Sequence, residues 1–206
     1  MEGMISINLL ILGPERKKFN DYFKNSGEKI SYFEGKLDPE SEFLNSIDVI
    51  ISYGYRYIIK EELINKFQNR ILNLHISYLP WNRGADPNLW SFLKDTPKGV
   101  TIHYIDSDID TGDIILQKKI EIYNHDTLKT TYNRLSNAIE DLLIENWNNI
   151  RIGNITPRPQ NKNLGSFHKK NDKQKYTYLL TKAWDTPVNN IIGVANKRED
   201  CSNERH

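Results

Sequence analysis

At 206 residues the chain has room for one compact domain and a modest appendage, not for two full catalytic domains. With 38% hydrophobic and 27% charged residues it can bury a real core, which excludes wholesale disorder. Lys and Arg number 28 against 27 Asp and Glu, and a net charge of +1 leaves no global field to draw the chain onto nucleic acid or anionic lipid.

Residues 5–12 read as a buried strand. The run is broken by Ser6 and Asn8, falls far short of the roughly 20 apolar residues that span a bilayer, and lacks the flanks of a signal peptide. A cytoplasmic protein without membrane contact is therefore expected. Gly13-Pro14 suits a turn into a helix with Pro14 at its first position, burying Phe19, Tyr22 and Phe23 and ending at Gly27. A strand at 29–33 leads to Asp38-Pro39, which would cap a short helix carrying Phe43 and Leu44. Strands at 48–52 and 71–75 flank a helix at 61–67. This alternation predicts a parallel sheet covered by helices, with ligands gathered beyond the carboxyl ends of the strands.

An irregular stretch at 76–86 precedes a helix at 87–93, and strands at 100–105 and 114–121 form an antiparallel hairpin. Asp126 is a candidate cap for the longest helix. There Leu128, Tyr132, Leu135, Ile139, Leu142, Leu143 and Trp147 recur at helical spacing, a core stripe. After Gly153 regularity fades into a proline-, lysine- and polar-rich tail with a loosely ordered end. The single cysteine, Cys201, excludes an internal disulfide and a thiolate-rich zinc site, and reads as a free surface thiol.

Asn73 and His75 stand two apart at the end of a strand, so their side chains point the same way. The turn at 107–113 adds Asp108, Asp110 and Asp113, any one of which could orient His75; composition does not choose among them. A carboxylate fixes the orientation of an imidazole, and a carboxamide donates to an oxyanion without titrating. Together they suit acyl transfer to an amine. The amine attacks a carbonyl, Asn73 and protonated His75 stabilise the charge on oxygen, and a proton leaves the nitrogen with no covalent intermediate required. Asn-x-His alone describes a hydrogen-bonded strand end equally well. His103, mid-strand on the face of Thr101, reads as a packed histidine or as a ligand.

The run Asn73-Leu-His-Ile-Ser-Tyr-Leu-Pro80, then Arg83-Gly84, then Gly99-Val-Thr-Ile-His-Tyr-Ile-Asp106, then Ile109-Asp-Thr-Gly-Asp-Ile-Ile-Leu-Gln117 resembles the folate-dependent formyltransferase family in order, spacing and residue type. That family moves a formyl group from 10-formyltetrahydrofolate to an amine. The resemblance implies Asn73, His75 and Asp110 as the catalytic residues, with Asp110 positioning His75 and assisting proton movement. It implies folate contacts at 53–59, especially Tyr57, Ile58 and Ile59, and at the turn with Ser107 and Ile109. For Ile58 and Ile59 the alternative is ordinary packing at a helix start. Amine-substrate contacts fall at Ser77, Trp81 and Arg83, where Arg83 either grips a phosphate or pairs with Asp86. Asp113 reads as a carboxylate receiving backbone N–H groups, and no metal is implied.

The fold this implies is α/β: a Rossmann-like, mostly parallel sheet flanked by helices, with an added antiparallel hairpin and a short C-terminal extension. Residues 1–150 would form the catalytic domain, and 151–206 an extension packed on that domain or on a dimer partner. The chain looks one strand-helix unit shorter before Asn73 than the purine and tRNA enzymes.

Too few residues follow the long helix for the basic second domain of the tRNA enzyme. Gly165-Ser-Phe-His-Lys-Lys170, Ala183-Trp-Asp-Thr-Pro-Val188 and the stretch from Trp81 to Pro87 look most like the small sugar N-formyltransferases. The implied substrate is a nucleotide-linked, here dTDP-linked, amino dideoxy sugar for O-antigen or other surface polysaccharide, and the implied assembly is a homodimer. Tyr176, Tyr178 and Trp184 would suit stacking on a base, with core or interface packing as the alternative. The lysine-rich run 168–175 either meets a diphosphate or is a solvated loop. Competing readings are a formyltetrahydrofolate hydrolase, a formyltransferase acting on methionyl-tRNA or glycinamide ribonucleotide, and a non-catalytic nucleotide-binding protein. No Gly-x-Gly-x-x-Gly follows the first strand, which argues against a nicotinamide-dependent oxidoreductase.

Overall fold

A computed structural model describes residues 6–197. Cys201 and the polar end expected to be loosely ordered lie outside the described residues. Eight strands and four α-helices follow one another along the described chain: β1 Asn8–Leu12, α1 Lys17–Asn25, β2 Lys29–Phe33, β3 Val49–Ser52, α2 Glu61–Lys66, β4 Ile71–His75, β5 Arg83–Gly84, α3 Pro87–Leu93, β6 Gly99–Tyr104, β7 Ile114–Lys119, α4 Leu128–Arg151 and β8 Phe167–His168. Six strands form the main sheet in the order β2-β1-β3-β4-β6-β7. β1 pairs in parallel with β2 and β3, and β3 with β4, so the sheet is mostly parallel, with β6 and β7 as its antiparallel hairpin. Leu9 to Leu12 are all buried, as a parallel strand covered on both faces requires.

Two compact units are built from interleaved segments. The first takes the chain up to His75, Ile102–Leu116 and Glu140–Pro159; the second takes Ile76–Thr101, Gln117–Ile139 and the chain from Gln160 on.

In the first unit Leu10, Leu12, Ile50, Leu63, Phe67 and Ile71 form one core cluster. Pro14 does not open α1, which begins at Lys17 after Arg16 in extended backbone. The cause is long-range. Tyr53 N donates to Leu12 O at 2.9 Å, and Gly13 (φ +130°) passes so close to the Tyr53 carbonyl that any Cβ would collide with it. The chain is thus still bound to the sheet where the sequence suggests a helix. Asp38 receives Glu40 N at 3.2 Å, but the following helical turn is a 3-10 segment at Glu42–Ser46. Glu28 ties the C-terminal part of α4 to this unit: Oε1 accepts from Arg151 Nη1 at 2.6 Å and Trp147 Nε1 at 3.1 Å, and Oε2 from Ile7 N at 2.6 Å.

In the second unit the tail builds the core. Tyr176, Val188, Ile191 and Ala195 are buried against Trp90, Phe92 and Leu93 of α3. β8 pairs in parallel with β5, and His168 stacks on Trp90 at 3.8 Å between centroids. Thr101 holds the irregular segment after His75: its Oγ1 donates to Ser77 O at 2.7 Å and accepts from Leu79 N and Gln117 Nε2.

The cap of α4 is Thr127 rather than Asp126, since Thr127 and Thr130 exchange side-chain and backbone hydrogen bonds. Asp126 is fully buried and spent elsewhere, on a bidentate pair with Arg134 at 2.7 and 2.8 Å, on Tyr123 N and on the Thr130 hydroxyl. The Arg134 guanidinium holds its carboxyl well below the usual carboxylate range, against the opposing effect of burial. The folded-state value is the lower one, so this stabilisation is complete above the unfolded-state pKa of about 4 and is lost as pH falls below it. Urea unfolding followed from pH 6 downward should show stability declining in that window, with a shallower decline in Asp126→Asn. An identical slope in the variant would contradict the assignment.

Among the described residues no helix is long and apolar enough to cross a membrane.

Candidate active site

The parallel register places Asn73 opposite Ser52, and Asn73 and His75 share one face at the carboxyl end of β4. β6 contributes His103 and the following turn Asp110, all within the first unit. Asp110 is the centre of the cluster. Its Oδ1 accepts from Asn73 Nδ2 at 2.9 Å and lies 3.5 Å from His103 Nε2, while its Oδ2 lies 3.5 Å from His75 Nδ1. Side-chain exposures of 7% for His75, 10% for Asp110 and 1% for His103 leave little water to screen these groups.

Tautomers follow from the partners. His103 Nδ1 lies 2.7 Å from Tyr104 O, and a carbonyl only accepts, so Nδ1 carries the proton. His103 Nε2 is then the bare acceptor for the second hydrogen of Asn73 Nδ2, at 3.2 Å. Likewise His75 presents Nδ1 to the carboxylate, which makes Nε2 the nitrogen that takes or gives a proton. Both hydrogens of Asn73 are therefore engaged, a point the sequence did not reveal. To donate to a carbonyl oxygen Asn73 must exchange one of them, and the longer bond, to His103, is the weaker of the two.

The turn that delivers Asp110 is tightly specified. Thr111 Oγ1 donates to Asp106 Oδ1 at 2.7 Å, Tyr104 N donates to Asp113 O at 3.0 Å, and Asp110 itself has φ +56°, a left-handed conformation costly for a side chain. Gly112 runs against the Tyr104 carbonyl, leaving no room for a Cβ. Gly112→Ala must displace the turn and with it Asp110. A misplacement of about 1 Å costs roughly 10²-fold in rate, so turnover at this site should fall on that scale while circular dichroism stays native. A wild-type rate would show that the turn geometry is immaterial. Asp108 and Asp113 are exposed, and of the three carboxylates Asp110 is the one that meets both Asn73 and His75.

Of the expected folate contacts, Tyr57 (46% exposed), Ile58 (82%) and Ile109 (48%) stand out into solvent in the first unit, as does Ser107. Packing at a helix start describes Ile59, which lies against the core cluster, but not Ile58. Ser77, Trp81 and Arg83 belong to the second unit. Ser77 is buried and donates its hydroxyl to Trp81 O. Arg83 does not pair with Asp86. It donates through Nη2 to Leu164 O at 3.2 Å, while Asp86 holds Lys173 at 2.8 Å.

An amide, an imidazole and a carboxylate thus gather at the strand ends of a mostly parallel sheet. A profile of the formyl transferase family matches residues 23–146, and the chain belongs to that family. It is 56% identical to the formyltransferase PseJ from Anoxybacillus kamchatkensis, covering 91% of this chain and 99% of that one with a TM-score of 0.89. That crystal structure is of a complex with UDP-4,6-dideoxy-4-formamido-L-AltNAc and tetrahydrofolate. A 4-N formyltransferase from Francisella tularensis shares the fold, at TM-score 0.74 and 20% identity over 82% of this chain and 78% of that one. Methionyl-tRNA formyltransferase from Fusobacterium nucleatum is 35% identical over 71% of this chain. The match covers 48% of that protein, so the chain spans about half the length of such curated relatives.

Proposed function

We propose that this protein is an N-formyltransferase that moves a formyl group from 10-formyltetrahydrofolate to the amine of a nucleotide-linked amino dideoxy sugar. The observation that carries this reading is the Asp110 carboxylate held against both Asn73 and His75. His75 takes the proton shed by the amine, Asp110 keeps the ring turned for that task, and Asn73 donates to the carbonyl oxygen as charge builds there. One C–N bond forms and one breaks, and no side chain needs to carry the formyl group.

10-Formyltetrahydrofolate supplies the formyl carbon. Tyr57, Ile58 and Ile109 offer its flat ring system exposed apolar surface that a ligand would cover, with Ser107 two residues before Ile109. The sugar acceptor has the support of PseJ at 56% identity over nearly its whole length. The same likeness favours a uridine nucleotide over the thymidine nucleotide expected from the sequence. Methionyl-tRNA as acceptor is supported by the curated relatives' names, over about half their length.

The test incubates the full chain and the formyl donor with UDP- and dTDP-linked 4-amino-4,6-dideoxy sugars and follows products by mass spectrometry. A UDP-sugar gaining one formyl group is the expected outcome. Cofactor deformylation with no formylated amine would favour the hydrolase instead.

A further inference from the structure

No step of the proposed chemistry uses His103, although it is buried among the residues that carry it. Within the first unit both of its ring nitrogens are engaged. Nδ1 gives its proton to Tyr104 O at 2.7 Å, and bare Nε2 faces Asn73 Nδ2 at 3.2 Å. Tyr104 is fixed in turn by its N–H on Asp113 O at 3.0 Å.

This arrangement decides which atom of Asn73 meets the substrate. A carboxamide NH₂ has two hydrogens, one on the side of the amide oxygen and one opposite to it. Asp110 Oδ1 alone, at 2.9 Å, could accept either, and the two choices leave Asn73 Oδ1 pointing in different directions. With His103 Nε2 as a second acceptor both hydrogens are placed at once, and since the strand fixes Cβ, one direction remains. Turning the amide over is closed as well, because its oxygen would then face a carboxylate oxygen and a bare imidazole nitrogen, both acceptors. Asn73 Oδ1 receives no hydrogen bond among the described residues, and Asn73 is half-buried at the strand end. The site at rest therefore offers an acceptor. An attacking amine brings N–H groups to it; a formyl oxygen brings none.

We infer that His103 is a positioning residue for the reaction: it holds the Asn73 carboxamide with its NH₂ inward, so that Oδ1 takes one N–H of the attacking amine. The other N–H then faces His75 Nε2, and the nitrogen lone pair is left for the formyl carbon. The inference rests on the proposed N-formyl transfer and adds how the nucleophile is held. A neutral imidazole accepts a hydrogen bond less strongly than a carboxylate does. The hydrogen lent to His103 is therefore the one that moves to the carbonyl oxygen as charge builds there, while the bond to Asp110 keeps the amide in place. His75 still takes the proton shed by the amine, so no proton passes through His103.

Three variants of the full chain separate positioning from packing. Gln reaches with Oε1 about as far as imidazole Nε2, Asn only as far as Nδ1, and Leu offers no acceptor. With 10-formyltetrahydrofolate and a UDP-linked amino sugar, His103→Leu and His103→Asn should lower kcat about 10²-fold with acceptor KM within a few-fold, the scale of a misplaced reacting group. His103→Gln should stay within about tenfold of wild type. Rates that follow the melting points of the variants, or a wild-type rate in His103→Leu, would overturn the inference. Where His103→Leu fails to fold, the contrast between Gln and Asn decides. Without any substrate, ¹⁵N NMR of histidine-labelled protein should show a protonated Nδ1 and a bare Nε2 for the ring whose signals vanish in His103→Gln. A proton on Nε2 would overturn the inference. Failure of wild type to formylate any amine, with that tautomer observed, would instead remove the reading on which the inference rests.

Discussion

Asp110→Asn is expected to lower kcat by roughly 10³–10⁴-fold while leaving KM for the acceptor within a few-fold, by analogy with carboxylate removal beside a catalytic imidazole. The substitution keeps the shape of the side chain and reverses its hydrogen-bonding sense. The new carboxamide oxygen can still accept from Asn73, but its NH₂ then faces His75 Nδ1. That contact favours the tautomer with the proton on Nε2, so the nitrogen meant to take a proton from the amine already carries one. His75→Ala should cost a comparable amount, because the pair acts as a unit, and the double variant should be little worse than either alone. Steady-state rates of tetrahydrofolate release with a saturating amino sugar check both. A drop of tenfold or less in Asp110→Asn would show that the carboxylate only packs.

The second large effect lies in the scaffold. Glu28 has a side chain with no exposure, and Arg151, at 7%, is its charged partner. Removing Glu28 takes its carboxylate from Arg151 in a site with little water, and Trp147 Nε1 and Ile7 N lose their acceptor as well. Breaking a buried pair costs about 3–5 kcal/mol, which for a chain of this length lowers Tm by roughly 6–20 °C. Glu28→Ala should show that fall in a thermal melt, and Glu28→Gln a smaller one, since a carboxamide still offers one acceptor oxygen. A melting point within a degree or two of wild type in Glu28→Ala would mean that α4 is anchored by its apolar stripe alone.

The strands were legible because apolar runs bounded by glycine, proline and aspartate leave few alternatives; β2, β4 and α3 fall on the predicted residues. Asn73 and His75 could be placed because a two-residue spacing at a strand end has one geometric meaning. What stayed hidden depends on partners far along the chain. The start of α1 is delayed by Tyr53, and the cap of α4 passes to Thr127 because Arg134 claims Asp126. Asp86 pairs with Lys173 and not with Arg83, its near neighbour in sequence. Val188 and Ile191 are core residues on and just after a 3-10 turn, which lacks the α-helical period that reveals burial. His103 read equally as packed and as a ligand. It is both buried and in contact with Asn73 and Asp110, and only three-dimensional placement shows that.

The central claim is that Asn73, His75 and Asp110 pass a formyl group directly to an amine. The most direct measurement follows a donor carrying a ¹³C-labelled formyl group, comparing tetrahydrofolate released with labelled formamide formed, with and without a UDP-linked amino sugar. The account predicts one formamide per tetrahydrofolate, negligible release when the amine is omitted, and loss of both products in Asp110→Asn. Release of tetrahydrofolate with labelled formate at the same rate whether or not the amine is present would contradict it.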